Sequence, residues 1–260
     1  MLALLLVGGA AVAVLANKWK SDLRVVDVQV KGNQIIPGEE IISLAGIKRD
    51  DRLFDIDLFA AQARVLKNTF IRAAAINRDV PGGISITVEE RSPLAAVVLD
   101  QMYYLDADGF VLPPVRSENI FDLPVLTGTI RGGELAPGRQ VSNGIVREAL
   151  VILKTAQQVG DELYRCISEV HINGAKDIVL YTAEYGVPVI FGRGDVAAKM
   201  VKFDGFWHQV VRHHGVRELH YIDLRFEGQV VVRWKNTGEE SKKTNVRLTT
   251  PTKEHPWTTS

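Results

Sequence analysis

The 260 residues include 46% hydrophobic and 24% charged side chains, the proportions of folded globular domains, so disorder of the whole chain is excluded. Lys plus Arg and Asp plus Glu stand at 31 each, so no net charge draws the chain to a polyanion. No basic block interleaved with aromatics offers a groove for a nucleic-acid strand. Cys166 is the single cysteine, which excludes an intrachain disulfide and leaves stability to core burial.

Met1 to Ala16 carries no charge and is rich in Leu, Val and Ala; it ends at Asn17-Lys18-Trp19-Lys20, an interfacial Trp flanked by lysines. A spanning helix takes about 20 apolar residues, with a lower limit of about 17, so this run is short. Ala11-Val12-Ala13 has the small-x-small form of a signal-peptide cleavage site, but the positively charged opening of a signal peptide is missing. The reading is a retained anchor over residues 1–19, with everything after it outside the cytoplasm.

Val25-Val26-Asp27-Val28-Gln29-Val30 alternates as a half-buried strand does and closes at Gly32-Asn33. Pro37 then supplies the fixed φ of a first helical turn, Glu39 and Glu40 suit the positive end of the dipole, and Gly46 stops the helix. Leu58, Ala61, Val65 and Leu66 repeat at helical spacing, predicting a second helix from Asp57 to Lys67. Ile71 to Val80 and Ile84 to Glu89 read as a strand pair joined at Pro81-Gly82-Gly83. This β-α-α-β-β order, with Val30-Lys31-Gly32-Asn33 after the first strand and Val88-Glu89-Glu90-Arg91-Ser92-Pro93 after the last, resembles a POTRA domain and sets its limits at residues 20–93. The acidic loop from Asp50 to Asp57 fits the family's link between the two helices. Its carboxylates read as loop solvation and a helix cap rather than a cation site.

Beyond Pro93 the texture changes. Leu94 to Leu99, Met102 to Leu105 and Phe110 to Leu112 read as strands, with a hairpin turn at Asp106-Ala107-Asp108-Gly109. That turn mimics the start of a calcium loop, but its Gly arrives two positions early and Ser117 stands at the twelfth position. A helix is predicted from a Ser142 cap to Gly160, burying Ile145, Ala149, Ile152 or Leu153, and Ala156. Cys166 to Ile172, Asp177 to Thr182 and Val187 to Phe191 follow as strands. Asp195 is the predicted cap of a second helix whose inner face is Val196, Met200, Phe203, Trp207 and Val210. Leu219 to Leu224 and Gln229 to Trp234 make a terminal hairpin across Glu227-Gly228, and residues 236–260, polar and without apolar period, read as a disordered tail. The fold class is therefore α+β: an anchor, a POTRA domain, and a mixed β-sheet domain over residues 94–235 with two flanking helices.

Phe191-Gly192-Arg193-Gly194-Asp195 before a helix, Tyr221-Ile222-Asp223-Leu224-Arg225-Phe226 after it, and the stretch from Met102 to Pro113 together resemble the carboxy-terminal β domain of the FtsQ/DivIB family of bacterial division proteins. With the POTRA-like segment, the resemblance spans Leu23 to Trp234. It implies a single-pass inner-membrane protein at the division septum with periplasmic domains, no enzyme activity and no cofactor. Its partners would be FtsB-like and FtsL-like segments, acting indirectly on septal peptidoglycan synthesis by the FtsW and FtsI machinery. The basic cytoplasmic tail usual before the family's anchor is missing from this sequence.

Gln229 to Trp234 is followed in sequence only by the polar tail, so it is expected at a sheet edge whose unpaired backbone groups receive a partner strand. Phe226, Val230, Val232 and Trp234 share one parity, and Arg225, Val231 and Arg233 the other; one set faces core, the other partner or solvent. Resemblance places Arg225 and Phe226 against the FtsB-like partner, with Arg225 suited to a bidentate carboxylate contact and Lys176 a further charge contact. The plainer role for such an arginine is an edge guard against self-pairing. Elsewhere the residues offer no catalytic or metal centre: His208, His213 and His214 have the wrong spacing to share a metal on one helix face, and Cys166 reads as a buried thiol. The alternative function is an accessory of outer-membrane assembly or transport, where POTRA units also occur, but such chains carry several units or a barrel, and this one has a single unit.

Overall fold

The computed structural model describes residues 22–114, 121–129, 135–211 and 215–235, together with the backbone of 243–246. The expected anchor at 1–19 lies outside the described residues, as do His213, His214 and most of the tail; among the described residues no helix is long and apolar enough to cross a membrane. The chain divides into two compact units, Met1–Ser92 and Pro93–Ser260.

In the first unit, β1 (Asp27–Lys31) runs parallel to β3 (Gly83–Glu90), which pairs antiparallel with β2 (Ile71–Asp79), giving the order β1-β3-β2. Between β1 and β2 lie helices α1 (Gly38–Ala45) and α2 (Leu58–Val65). Pro37 occupies the position before α1, and Gly46 ends it with a left-handed φ of 65°. Asp57 caps α2 by accepting the Ala60 N–H at 3.0 Å. Ile41, Ala45, Ala61 and Val65 from the helices and Ile84 and Ile86 from β3 are all at 0–1% exposure, the apolar faces that helices and sheet turn to the core of this unit. Glu90, at the end of β3, accepts three successive backbone N–H groups, from Gln34 and Ile36 at 2.9 Å and Ile35 at 2.6 Å, and so fixes the loop that leads into α1.

The second unit is built on one ten-stranded mixed sheet in the order β13-β12-β11-β10-β9-β8-β7-β4-β5-β6. Its first strands are β4 (Pro93–Val98), β5 (Met102–Asp106) and β6 (Val111–Leu112). Asp106 turns its carboxylate inward at the β5–β6 turn and accepts the N–H groups of Asp108 at 3.0 Å and Phe110 at 2.7 Å, the geometry of a hairpin turn. Strand β7 (Val125–Gly128), not foreseen in the sequence, runs parallel to both β4 and β8 (Ile167–Ile172) and joins the two halves of the sheet. Helix α3 (Gly144–Val159) is capped by Asn143, whose Oδ1 accepts the Ile145 N–H at 3.0 Å, one residue later than the Ser142 cap expected. A short helix α4 (Asp161–Arg165), also unforeseen, follows Gly160 directly.

Strands β8, β9 (Ile178–Thr182) and β10 (Pro188–Gly192) are successive antiparallel neighbours. The helix α5 (Val196–Phe206) then crosses over and continues as a π-helical turn, Trp207–Val211. This connection returns β11 (Leu219–Asp223) parallel to β10. Met200, Phe203 and Trp207 are buried on the inner face of the helix, and Val196 and Val210 pack against the same core. Asp195 holds the position before α5 with a left-handed φ of 50°, but its side chain makes no capping hydrogen bond, so the expected Asp195 cap is not formed. The last hairpin pairs β11 with β12 (Val230–Trp234), and β12 pairs in turn with β13 (Lys243–Val246).

Candidate functional site: the carboxy-terminal end of the sheet

Strand β12 is not the end of the sheet. Its outer side carries β13 of the same chain, antiparallel, in the register Val230↔Val246, Val231↔Asn245, Val232↔Thr244 and Arg233↔Lys243. Two expectations are thereby corrected: residues 243–246 of the supposed disordered tail form a strand, and the backbone groups supposed open on β12 are paired within the molecule. The physical reason is the edge itself. A Val-rich strand with unpaired N–H and C=O groups takes the nearest extended segment, and the chain's own continuation is always at hand.

The parity expectation holds for half the strand. Val230 and Val232 are fully buried and Trp234 packs against the same core from a half-buried position. Val231, of opposite parity, is also buried at 8% exposure, so it does not stand open for a partner. Gln229 and Arg233 are half-buried, and Phe226 keeps 45% of its surface exposed beside the turn at Gly228.

Arg225 is exposed but already engaged. It leaves β11 at the bend and folds back on Asp223, donating from Nε to Oδ1 at 3.0 Å and from Nη2 to Oδ2 at 2.8 Å, while its own backbone N–H donates to Oδ1 at 3.0 Å. The bidentate carboxylate expected from a partner is supplied by the chain itself. These hydrogen bonds hold the guanidinium above its ordinary pKa, and the Asp177 charge contributes in the same direction. The Arg225 stem lies over Gly192, where an added Cβ would sit 2.9 Å from Cγ; φ at Gly192 is +68°, so glycine meets both the steric and the backbone demand. On the other side of the bend, Lys202 from α5 donates Nζ to the carbonyls of Leu224 at 2.9 Å and Phe226 at 2.7 Å. Partial burial, and then the neighbouring Lys199 charge, pull that ammonium below its ordinary value.

The sheet brings Lys176 to this same end. Gly192 pairs with Ile178 and Ile190 with Asp223, so the start of β9 and the ends of β10 and β11 lie together. Lys176 is exposed, with a left-handed φ of 65°, in the turn closed by its N–H to the Asn173 carbonyl at 2.9 Å. Its carbonyl accepts from Arg193 Nη1 at 3.3 Å. Arg193 also donates to Glu148 of α3 at 2.6 Å, and Glu148 accepts the Gly194 N–H at 2.7 Å. The Gly192-Arg193-Gly194-Asp195 motif is thus a clasp between α3 and the β10–α5 turn. Lys176, Arg225, Phe226, Gln229 and Val230 gather at this end, while Arg233 and Trp234 lie at the other end of β12, opposite Tyr221 and Leu219.

Sequence reading missed Asp223, Lys202, Glu148 and β13. Asp223 had a signal, since residues two apart on a strand share a face and its opposite charge pairs naturally with Arg225. Lys202 and Glu148 reach the site from distant helices and left none.

The site resembles no reaction centre. Cys166 lines a cleft of about 520 Å³ together with Glu162, Glu184 and Trp207 among others. Burial, with Glu162 and Asp204 adding, pushes its thiol up to about 12, and Sγ donates to the Leu163 carbonyl at 3.0 Å. Among the described residues no group of three or more His, Cys, Asp or Glu is placed to hold a metal ion.

A three-stranded unit with two helices, followed by a large mixed sheet that ends in β12 and β13, has the architecture of a POTRA-containing protein. Sequence comparison makes this specific. Residues 23–91 match the profile described as POTRA domain, FtsQ-type, and residues 95–225 match that of Cell division protein FtsQ/DivIB, C-terminal. The cell division protein FtsQ of Syntrophotalea carbinolica is 32% identical over 228 residues, covering 86% of this chain and 79% of the relative. FtsQ of Geotalea daltonii is 29% identical over 206 residues, with 79% and 74% covered, and DivIB of Clostridium tetani is 26% identical over 210 residues, with 79% and 77% covered. The chain belongs to the FtsQ/DivIB family of cell division proteins, non-enzymatic components of the division machinery. The matched carboxy-terminal profile ends at residue 225, at the bend; β12 and β13 lie beyond it.

Proposed function

We propose that this protein is a membrane-anchored scaffold and regulator of the division machinery that captures FtsB-like and FtsL-like periplasmic segments at the carboxy-terminal end of its sheet. Through them it helps control septal peptidoglycan synthesis by the FtsW and FtsI machinery. Residues 1–19 serve as the single inner-membrane anchor, 20–93 as the POTRA domain and 94–235 as the β domain, both facing the periplasm at the septum. Capture proceeds by strand addition, in which main-chain hydrogen bonds supply registry and side chains supply partner choice.

The observation that carries this reading is the behaviour of β12. Its outer side accepts an antiparallel strand over Val230, Val231, Val232 and Arg233, while Val230 and Val232 root it in the core. A strand so rooted presents a fixed ladder of donors and acceptors to whatever extended segment lies beside it. Phe226 and Lys176, exposed at the near end, are the proposed side-chain contacts, with Gln229 just before the strand and Trp234 as its last residue. Arg225 acts first as the internal latch of the bend that presents Phe226. Co-purification of the full chain with FtsB-like and FtsL-like proteins from inner-membrane fractions, and its gathering at midcell, is the expected result. Recovery with the outer membrane and no such co-purification would refute the reading in favour of an assembly accessory.

A further inference from the structure

We infer that β13 is an intramolecular stand-in for the partner strand, so that the outer side of β12 is an exchange site which a partner enters only by displacing the chain's own tail. This deepens the proposed capture of an FtsB-like segment and rests on it. The geometry makes the two occupants exclusive: a strand has one outer row of backbone groups, and four successive residues of β12 are paired to residues 243–246. A second strand cannot use groups already bonded.

Residence by β13 is shallow by construction. Only four residue pairs form, and the hydrogen bonds they supply must offset the entropy of fixing that segment in place. Its composition adds little: Lys243 and Asn245 belong to the residue types depleted in strands, and only Thr244 and Val246 belong to those enriched. A partner segment rich in Val, Ile or Tyr, lying antiparallel to β12 in the same place, outcompetes it on intrinsic preference. Meanwhile the tail shields a Val-rich edge from pairing with other copies of the chain. Competition of this kind lowers apparent affinity in proportion to the fraction of molecules whose edge is free. If the tail is docked in two-thirds of molecules or more, its removal tightens partner binding by about threefold or more.

The test measures binding of a labelled synthetic peptide spanning the periplasmic segment of the same organism's FtsB-like protein to detergent-solubilised protein. Three forms are compared: the full chain, the chain ending at Lys235, and the full chain with Thr244→Pro plus Asn245→Pro. Neighbouring strand residues point their N–H groups to opposite sides, so one of the two prolines necessarily removes a donor facing β12. Both altered forms are expected to bind the peptide at least threefold more tightly than the full chain, and the proline form serves where the shortened chain fails to fold. Equal affinity in all three forms overturns the inference and leaves capture standing. Weaker binding by the altered forms also overturns it, because β13 would then be part of the docking surface. Failure of every form to bind refutes capture itself and the exchange with it.

Discussion

Removing the Asp223 carboxylate separates the two roles open to Arg225. Asp223 is 4% exposed and accepts three N–H groups from Arg225, two of them from the guanidinium at 3.0 and 2.8 Å. Hydrogen bonds to a charged group contribute about 1.5–3 kcal/mol each when sheltered. The Arg225 side chain is 48% exposed, so solvent screens much of that, and the pair is expected to couple by about 1–2 kcal/mol. In urea denaturation of Asp223→Ala, Arg225→Ala and the double variant, the double should be more stable than the summed singles predict by that amount. Arg225→Ala should be the costlier single change, because it leaves a buried carboxylate with only a backbone N–H. Coupling under about 0.3 kcal/mol would refute the latch. If the latch positions the bend, both single variants weaken partner binding alike. Loss on Arg225→Ala with none on Asp223→Ala would instead make Arg225 a direct contact.

Glu90→Ala strips an acceptor from Gln34, Ile35 and Ile36 and should destabilise the first unit by about 2 kcal/mol, with Glu90→Gln intermediate, read from thermal melting followed by circular dichroism. Gly128→Ala would bring a Cβ to 2.0 Å from the Ile172 carbonyl oxygen at φ +98°, and it should unfold the second unit by several kcal/mol or prevent its expression. Cys166, held near 12 against an ordinary 9, stays protonated in the folded state while the unfolded chain ionises. Its contribution is therefore whole below about pH 9 and is lost as pH rises towards 12, by up to about 4 kcal/mol, a decline that Cys166→Ala should flatten in alkaline melts. At pH 8 the native thiol should resist iodoacetamide and react only in denaturant.

Features set by local geometry were legible in the sequence; those set by strand pairing across long separations were not. Pro37, Gly46, Asp57 and Gly82-Gly83 mark the limits of α1, α2 and the β2–β3 turn because each acts through local geometry. Alternation grouped Val230 with Val232 on one side of the strand, but only the structure shows that this is the core side and that Val231 is buried as well. By contrast, β13 pairs without any apolar period, so Lys243-Thr244-Asn245-Val246 reads as tail until its register with β12 is seen. Strand β7 is four residues long and joined by parallel pairing to strands far away in sequence, which leaves too short a run to show periodicity. Asp195 shows the limit of a cap read from residue type, since it takes a left-handed backbone and makes no side-chain capping hydrogen bond. Of the site, the strand was legible and its occupant was not.

The central claim, that a partner strand docks on the outer side of β12, is tested most directly by photo-crosslinking in dividing cells. A photoreactive residue placed at Phe226 or Gln229, beside the start of β12, should yield an adduct with the FtsB-like protein, whereas one at the exposed Met102 of β5, at the far end of the sheet, should not. Adducts from Met102 with none from Phe226 or Gln229 would contradict the account.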